Sequence, residues 1–300
     1  MKPVKQMNIK TGMDVKDLVK EMSGSGVFGA GRIAQAADIL KSMKSDKDCK
    51  IFLGVAGAMV PGGMKGIIID MLKNGYAHVF VTTGANLTHD LIEALGFEHY
   101  QGNCQADDKE LHKKGIDRIY ETFMPNKVYE DLEKFFNKNF DKLKGETSIK
   151  EFLWKLGSLL EKDSILKTCY DKKIPIFCPG IADSGIGLMM WGHLAKGEKV
   201  EVKAFEDLKE IMDLAWTAKR TGVIYVGGGV PKNYIQQSMQ LTKGATYGIQ
   251  VTMDRPEPGG SSGAELREGI SWGKLNDKAK HVNVICDATI ALPLVYSAVK

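Results

Sequence analysis

Short runs of apolar residues alternate along the chain with longer stretches in which apolar residues recur every three or four positions. The short runs are rich in Val, Ile and Phe and often end at glycine, which is typical of buried β-strands. The longer stretches have the period of amphipathic helices. The predicted strands are 51–55, 78–82, 174–177, 223–226, 247–251 and 282–285, and the predicted helices lie near 65–73, 87–95, 128–140, 149–160, 205–219 and 234–241.

Strands that alternate with helices predict an α/β fold that is Rossmann-like, with a mostly parallel sheet flanked by helices. The chain has 300 residues, of which 43% are hydrophobic, so it can bury a substantial core. No repeat and no low-complexity linker divides it. We therefore expect a single large domain over residues 1–300, with a helical N-terminal segment over about 1–50 and no separate second domain.

Charge, hydropathy and cysteine spacing argue against several classes of partner and site. The formal net charge is only +4 and no basic block stands out, which disfavours nucleic acid. No apolar run approaches the length of a membrane span, and the N-terminus has no signal-like apolar stretch. Five widely spaced cysteines form no CxxC pair, so we expect neither a metal site nor a disulfide framework. A reducing, cytoplasmic location is the simplest interpretation.

Five of the predicted strands end in small or polar residues. They lead to Gly57-Ala58, to Thr83-Gly84-Ala85, to Asp183, to Gly227-Gly228-Gly229 and to Asp287-Ala288. In parallel sheets ligands bind beyond the carboxyl ends of the strands, where glycines admit phosphates and acids can bind ribose hydroxyls. The pattern favours a nucleotide site, although each glycine could also serve only to end a strand and start a turn.

A lysine lies beside an indole and a carboxylate after a glycine-rich loop, in the segment Gly259–Lys274. Trp272 is two residues before Lys274, and Glu268 is six before it. A lysine attacks a carbonyl or imine carbon only as a neutral amine, and nearby apolar bulk can favour that form. The spacing is therefore compatible with covalent catalysis, although most lysines are solvated surface charges.

The order Ser262-Gly263-Ala264, Glu268, Ser-Trp-Gly-Lys at 271–274 and then Asp287-Ala288 resembles the C-terminal active-site segment of the deoxyhypusine synthase family. The resemblance extends from about Val15 to the C-terminus. It implies a covalent imine on Lys274 and a substrate pocket that contains Asn233, Ser262, Gly263, Glu268 and Trp272. It also implies NAD contacts at Gly57, Ala58, Thr83, Gly84, Ala85, Asp183, Asp287 and Ala288.

The activity implied by the resemblance is NAD-dependent aminobutyl transfer from a polyamine donor such as spermidine. The acceptor would be a lysine of a translation factor precursor, which becomes deoxyhypusine. The resemblance also implies a homotetramer with active sites at subunit interfaces.

Several positions depart from the family pattern. Asn233 stands where the family has a proton-transferring histidine, and Thr88-His89 stands where it has two acids. Leu188 and Ser261 replace further acids, and Glu265 replaces an arginine. We take as a hypothesis that His89 supplies the missing proton transfer, because imidazole titrates near neutral pH. The alternative is that His89 only caps or packs on its helix.

Loss of these acids would weaken selection for a long polycation. Two other functions therefore stay open. One is a homospermidine synthase-like transfer between free amines such as putrescine or agmatine. The other is a catalytically inactive NAD-binding homologue, against which the presence of Lys274 argues.

Overall fold

The computed structural model describes all 300 residues, which form eleven strands and thirteen helices. The strands are β1 (Cys49–Val55), β2 (Val79–Thr82), β3 (Tyr100–Gln101), β4 (Ile116–Ile119), β5 (Thr122–Pro125), β6 (Gly145–Ser148), β7 (Ile176–Phe177), β8 (Val200–Lys203), β9 (Arg220–Val226), β10 (Ala245–Thr252) and β11 (Leu275–Ile285). The helices are α1 (Val15–Ser25), α2 (Phe28–Ser45), α3 (Lys65–Lys73), α4 (Gly84–Ala94), α5 (Asp108–Lys113), α6 (Val128–Leu143), α7 (Ile149–Ser158), α8 (Ile165–Asp171), α9 (Gly185–Ala195), α10 (Ala204–Trp216), α11 (Gly229–Gln240), α12 (Glu268–Ser271) and α13 (Ala288–Ser297).

The main sheet has six strands in the order β11-β10-β9-β1-β2-β7. Each of its strands overlaps one of the six strands predicted from the apolar runs, although β7 covers only the second half of the predicted 174–177, and the α/β fold class is thus confirmed. The side chains of β1 and β9 are almost entirely buried, which explains why these strands are continuous apolar runs without alternation.

The register of the sheet aligns the carboxyl ends of four strands. β1, β9, β10 and β11 are parallel, and Val55, Val226, Val251 and Val284 are paired across them in one row. The residues that follow these valines therefore leave the sheet at the same edge. Three of the five predicted strand ends, those after β1, β9 and β11, thus lie along this part of the sheet.

Two helices occupy the N-terminal segment predicted to be helical. Asp14 caps α1 by accepting a hydrogen bond from the amide of Asp17, and Gly26 ends this helix with φ +65. The second helix, α2, buries a face that includes Ile39, Leu40 and Met43.

Two small sheets were not predicted. One is antiparallel with the order β3-β5-β4, and the other is a parallel pair of β6 and β8. Their strands have two to four residues and are half-exposed, so their apolar pattern is too weak to identify. The unpredicted helix α9 contains three glycines, Gly185, Gly187 and Gly192, which lower its intrinsic helix propensity.

The chain divides into two compact units. The first unit comprises residues 1–56, 74–81 and 208–300, and the second comprises residues 57–73 and 82–207. The single-domain assignment made from the sequence stays a prediction. None of the helices is both long and apolar enough to cross a membrane.

Candidate functional site

Lys274 lies in the first unit, in the short connection between α12 and β11. Its amide donates a hydrogen bond to the carbonyl of Gly269 at 2.8 Å, and its carbonyl accepts one from the amide of Ala245 at 3.1 Å. Gly273, with φ +69, turns the chain just before Lys274. The Lys274 side chain is half-buried, and its Nζ lies 5.0 Å from the centre of the Trp272 ring. The predicted pair of amine and indole is therefore present.

The glycine-rich loop that precedes α12 is held against the end of β9. A Cβ added to Gly228 would lie 2.2 Å from both Cα and Cβ of Ser262, so only glycine allows this approach. A Cβ on Gly263 would lie 1.9 Å from the carbonyl oxygen of Arg255. The loop residues predicted to bind substrate, Ser262 and Gly263, are thus fixed by close backbone packing.

Two buried polar side chains hold the same loop from the inside. Lys232 is only 1% exposed, and its Nζ donates to the carbonyl oxygens of Ser261 at 2.5 Å and Ala264 at 2.6 Å. Nε2 of Gln250 donates to the carbonyls of Ser262 at 3.1 Å and Ala264 at 3.2 Å. These bonds satisfy carbonyls that the loop cannot pair within itself.

The electrostatics of this region link three charged groups. Burial lowers the pKa of Lys232 to about 8, the carboxylate of Glu268 opposes this shift, and the cation of Lys274 adds to it. Glu268 and Lys274 are therefore both close enough to Lys232 to influence its pKa. Glu268 itself is exposed on α12, which is compatible with contact to a cationic ligand.

The remaining predicted residues of the first unit lie at the starts of α11 and α13. Asn233 is exposed in the first turns of α11, next to Lys232. Asp287 follows β11 and caps α13, where its Oδ1 accepts from the amide of Thr289 at 2.7 Å and from the Thr289 hydroxyl at 2.6 Å. These two bonds lower the pKa of Asp287. Ala288 is the first residue of that helix.

In the second unit, the predicted cofactor residues gather at the starts of α4 and α9. Thr83 caps α4 through its hydroxyl, and Ser184 caps α9 in the same way. A Cβ on Gly84 would lie 2.5 Å from the Ser184 Cβ, so the two helix starts touch here. Ala85 and Asp183 are exposed beside this contact. Gly57 and Ala58 form a turn at the start of the second unit, where Gly57 has φ +75.

These residues fit a dinucleotide. The first-turn amides of a helix have no partner within the helix, so the start of α4 can bind an anionic phosphate. At the start of α9 the amides of Ile186 and Gly187 already donate to the hydroxyls of Thr88 and Ser184. Small residues leave the backbone accessible at Ala85 and Gly57, and Asp183 offers a carboxylate. The close packing of Gly84 on Ser184 gives that glycine a structural role as well.

His89 lies on α4 and is half-buried. Its Nδ1 is 2.9 Å from Nε2 of His99, and Nδ1 of His99 is 2.8 Å from Oε1 of Glu93. The two imidazole rings meet edge to face, with their centres 4.9 Å apart. Burial and the neighbouring His99 lower the pKa of His89 to about 4, against the opposing effect of Glu93. His89 is thus neutral near pH 7.

A buried ion-pair cluster adjoins the two histidines. Nζ of Lys65 lies 3.1 Å from Oε2 of Glu93 and 3.6 Å from Oδ1 of Asp90. Asp90 is fully buried and accepts the first amides of α8, those of Ile165 and Leu166, both at 2.9 Å. Burial raises the pKa of Asp90 to about 6, although Lys65 and the two amides oppose this shift.

Sequence reasoning missed the supporting residues of both groups. Nothing in the spacing of Lys232 signals that it is buried. Glu93 is four residues after His89 and therefore on the same helix face, which is a readable signal. His99 comes from beyond the end of α4, and no period connects it to His89. No group of three or more His, Cys, Asp or Glu side chains is arranged to hold a metal ion.

Comparison with known proteins identifies the family. The sequence model of deoxyhypusine synthase matches residues 17–299. The chain is 47% identical to "Probable deoxyhypusine synthase 1" of Methanosarcina acetivorans, over 99% of this chain and 94% of the relative. It is 41% identical to "Probable deoxyhypusine synthase 1" of Archaeoglobus fulgidus, over 96% of this chain and 95% of the relative.

A crystal structure of a "putative deoxyhypusine synthase" from Entamoeba histolytica has the same fold. Its TM-score is 0.65 at 18% identity, over 98% of this chain and 96% of that one. At this identity the likeness concerns the fold alone. The family match over nearly the whole chain and the relatives above 40% identity lead to one conclusion: the chain belongs to the deoxyhypusine synthase family.

Proposed function

We propose that the protein is an NAD-dependent aminobutyl transferase that carries the transferred group as an imine on Lys274. The observation that supports this most directly is the grouping of Lys274, Trp272 and Glu268 beside the loop 259–264, in a chain of this family. The loop is held by Lys232 and Gln250, so the amine has a fixed backbone to which a substrate can bind.

Each residue of this group has a separate task. Nζ of Lys274 forms an imine with the four-carbon group, and the carbon–nitrogen bond to the rest of the donor breaks, so that the rest of the donor leaves as an amine or as ammonia. The acceptor amine then displaces Lys274 from this imine. Trp272, which is 58% exposed, offers an indole face to a substrate cation or alkyl chain. Glu268 binds an ammonium group of the polyamine, while Asn233, Ser262 and Gly263 provide polar and backbone contacts.

The proposal includes NAD, which when bound would supply the oxidation of the donor amine and the later reduction of the product. The residues that would contact NAD are Gly57, Ala58, Thr83, Gly84, Ala85, Asp183, Asp287 and Ala288. The exposed start of α4 at Ala85 and the exposed carboxylate of Asp183 support this part of the proposal. His89 would remove the proton from the donor amine, because Asn233 cannot act as a base.

One observation favours a donor or acceptor with few charges. Leu188, at the position of a polyamine-binding acid, is 59% exposed and lies in an apolar groove with Ile181, Trp191 and Leu194. No carboxylate lines this groove, so an ammonium group would find no acid there with which to pair. A second candidate is therefore transfer between free amines, with putrescine or agmatine in place of spermidine and without a protein acceptor.

Borohydride trapping tests the covalent step. The protein is incubated with NAD and spermidine, putrescine or agmatine, with and without a translation factor precursor. Borohydride then reduces any imine to a stable amine. We expect a four-carbon adduct on Lys274 in the peptide mass map, and no adduct in Lys274→Arg, which keeps the charge but cannot form this imine.

Lys278→Arg is a matched control, because Lys278 is an exposed lysine four residues further along the chain. It should trap the adduct like the unchanged protein. Undiminished turnover by Lys274→Arg in the presence of NAD would show that the lysine mechanism is wrong. The products of the amine panel separate the protein-lysine acceptor from the free-amine acceptor.

The quaternary structure forms part of the proposal. We expect a homotetramer with the active sites at subunit interfaces, as the family resemblance implies. Light scattering on the purified protein measures the mass directly, and a monomer of 33.0 kDa at micromolar concentration would contradict this assembly.

A further inference from the structure

Glu93, His99 and His89 form a continuous hydrogen-bonded chain within the second unit. The contacts are 2.8 Å from Glu93 to His99 and 2.9 Å from His99 to His89. The side chain of His99 is only 5% exposed and that of Glu93 is 25% exposed, so water competes little for these bonds. Short bonds between shielded groups favour one arrangement of protons over the others.

The chemistry of Glu93 sets the direction of the chain. Burial raises the pKa of Glu93, but hydrogen bonds from His99 and Lys65 outweigh this effect and lower it overall. Glu93 is then a carboxylate, which can only accept, so Nδ1 of His99 carries the proton between them. With a neutral ring, Nε2 of His99 must accept, and Nδ1 of His89 must donate to it. Nε2 of His89 is left with its lone pair.

We propose that Glu93 and His99 are positioning residues that hold His89 as the tautomer with an unprotonated Nε2, and that His99 takes over the positive charge when this nitrogen accepts a proton. The inference rests on the proposed function, in which His89 removes the proton from the donor amine.

The proton removed from the donor is accounted for by transfer through His89 to His99. An N–H bond of the donor ammonium breaks, and an Nε2–H bond forms on His89. The Nδ1–H bond of His89 breaks, and an Nε2–H bond forms on His99. The donor is left as a neutral amine, and the positive charge resides on the His99 ring beside the carboxylate of Glu93.

Transfer to His99 compensates for the weakness of His89 as a base. Burial and His99 lower the pKa of His89 to about 4, so a proton that stayed on His89 would be poorly held near pH 7. His99 holds the same charge 2.8 Å from a carboxylate, which stabilises it. A carboxylate behind an imidazole is the usual way in which proteins orient a catalytic histidine and stabilise its cation.

The charged side chains next to His89 and His99 also compensate for the charge of one added proton. Lys65 is the cation of the cluster, and Glu93 and Asp90 are its two carboxylates. Above the Asp90 pKa of about 6, Lys65, Glu93 and Asp90 together carry one net negative charge. A proton on the histidine pair brings the cluster to neutrality, so the region does not accumulate buried charge.

The tautomer can be read directly from the unchanged, full-length protein. Long-range ¹H–¹⁵N correlation spectra of ¹⁵N-histidine protein at pH 7.5 distinguish protonated from unprotonated ring nitrogens in all six histidines. Substitution of each histidine in turn assigns the signals. We expect Nδ1 protonated and Nε2 unprotonated in His89, and the same pattern in His99. A protonated Nε2 on His89 would overturn the inference, whatever the enzyme's activity.

His99→Phe then tests the functional role, because it keeps a ring but removes both nitrogens. We expect His89 to lose its single tautomer and kcat to fall about tenfold or more, with KM changed less than about twofold. His112→Phe replaces an exposed histidine on α5 and should leave the His89 signals and kcat unchanged. Circular dichroism and thermal melts confirm that the variants are folded.

Two outcomes separate this inference from the proposed function. If Lys274→Arg remains active, the imine mechanism fails, while the His89 tautomer is still decided by the spectra. If the tautomer is as expected but His99→Phe keeps the full kcat, the relay is refuted and the imine mechanism is unaffected.

Discussion

Replacement of Lys232 by methionine should change how the free energy of unfolding depends on pH. The side chain is 1% exposed, and burial is the main cause that lowers its pKa from 10.5 to about 8. An unfolded chain holds this proton until about pH 10.4. Between pH 8 and 10.4 the unfolded state therefore binds more protons than the folded state, and stability rises with pH.

The size of this effect follows from the shift. Each pKa unit corresponds to about 1.36 kcal/mol, so the shift predicts a gain of about 3 kcal/mol as the pH rises from 7 to 10.5. Methionine has similar volume and no proton to lose, so Lys232→Met should lack this gain. It also removes the donor to the Ser261 carbonyl, which lowers stability by about 1–3 kcal/mol without pH dependence in this range.

The measurement is urea denaturation at pH 7 to 10.5 for the unchanged protein and Lys232→Met, at one protein concentration because assembly affects apparent stability. The difference between the two curves cancels the other titrating groups. The free energy of unfolding of the unchanged protein, minus that of Lys232→Met, should rise by about 3 kcal/mol between pH 7 and 10.5. Most of this rise should occur above pH 8. Gln237→Met, an exposed change on the same helix, should give a constant difference. A constant difference for Lys232→Met would refute the reasoning.

Two further substitutions test the frame of the site by urea denaturation near pH 7. Asp90→Ala removes the acceptor for two buried amides of α8 and the partner of Lys65, so the free energy of unfolding should fall by about 3 kcal/mol; a loss below about 1 kcal/mol would contradict the assigned bonds. Gly228→Ala places a methyl group 2.2 Å from the Ser262 backbone and should lower the free energy of unfolding by more than about 2 kcal/mol. Gly180→Ala is the control, because a methyl group there meets open space and should change the free energy of unfolding by less than about 0.5 kcal/mol. Equal effects of the two glycine changes would show that the loop yields to the added group.

Most of the main sheet could be predicted because strands such as β1, β2 and β9 are buried on both faces, so that each is a short apolar run. The hairpin of β4 and β5 could not, because its turn is Tyr120-Glu121, with Tyr120 at φ +56, and lacks the usual Asn-Gly signal. The register of the sheet was also beyond the sequence, since pairing depends on contacts between distant segments.

The candidate site likewise contains some residues whose proximity the sequence predicts and others whose proximity it does not. Lys274, Trp272 and Glu268 are close in sequence, so their proximity could be expected. Lys232 could not be placed, because lysine is almost never fully buried and its partners are carbonyls that carry no side-chain signal. His99 reaches His89 because the chain reverses after α4 at Gly96, which has φ +104, and such a reversal has no period to detect.

The first unit draws its sheet from segments at opposite ends of the polypeptide. The strands β1 and β2 are synthesised early, whereas β9, β10 and β11 all lie after residue 207. During translation the early strands must wait, unpaired along one edge, until the last third of the chain leaves the ribosome. Such distant pairing is intrinsically slow and exposes apolar edges to aggregation. A product that ends at Asp207 cannot complete this unit, so premature termination should yield insoluble material rather than a smaller functional protein.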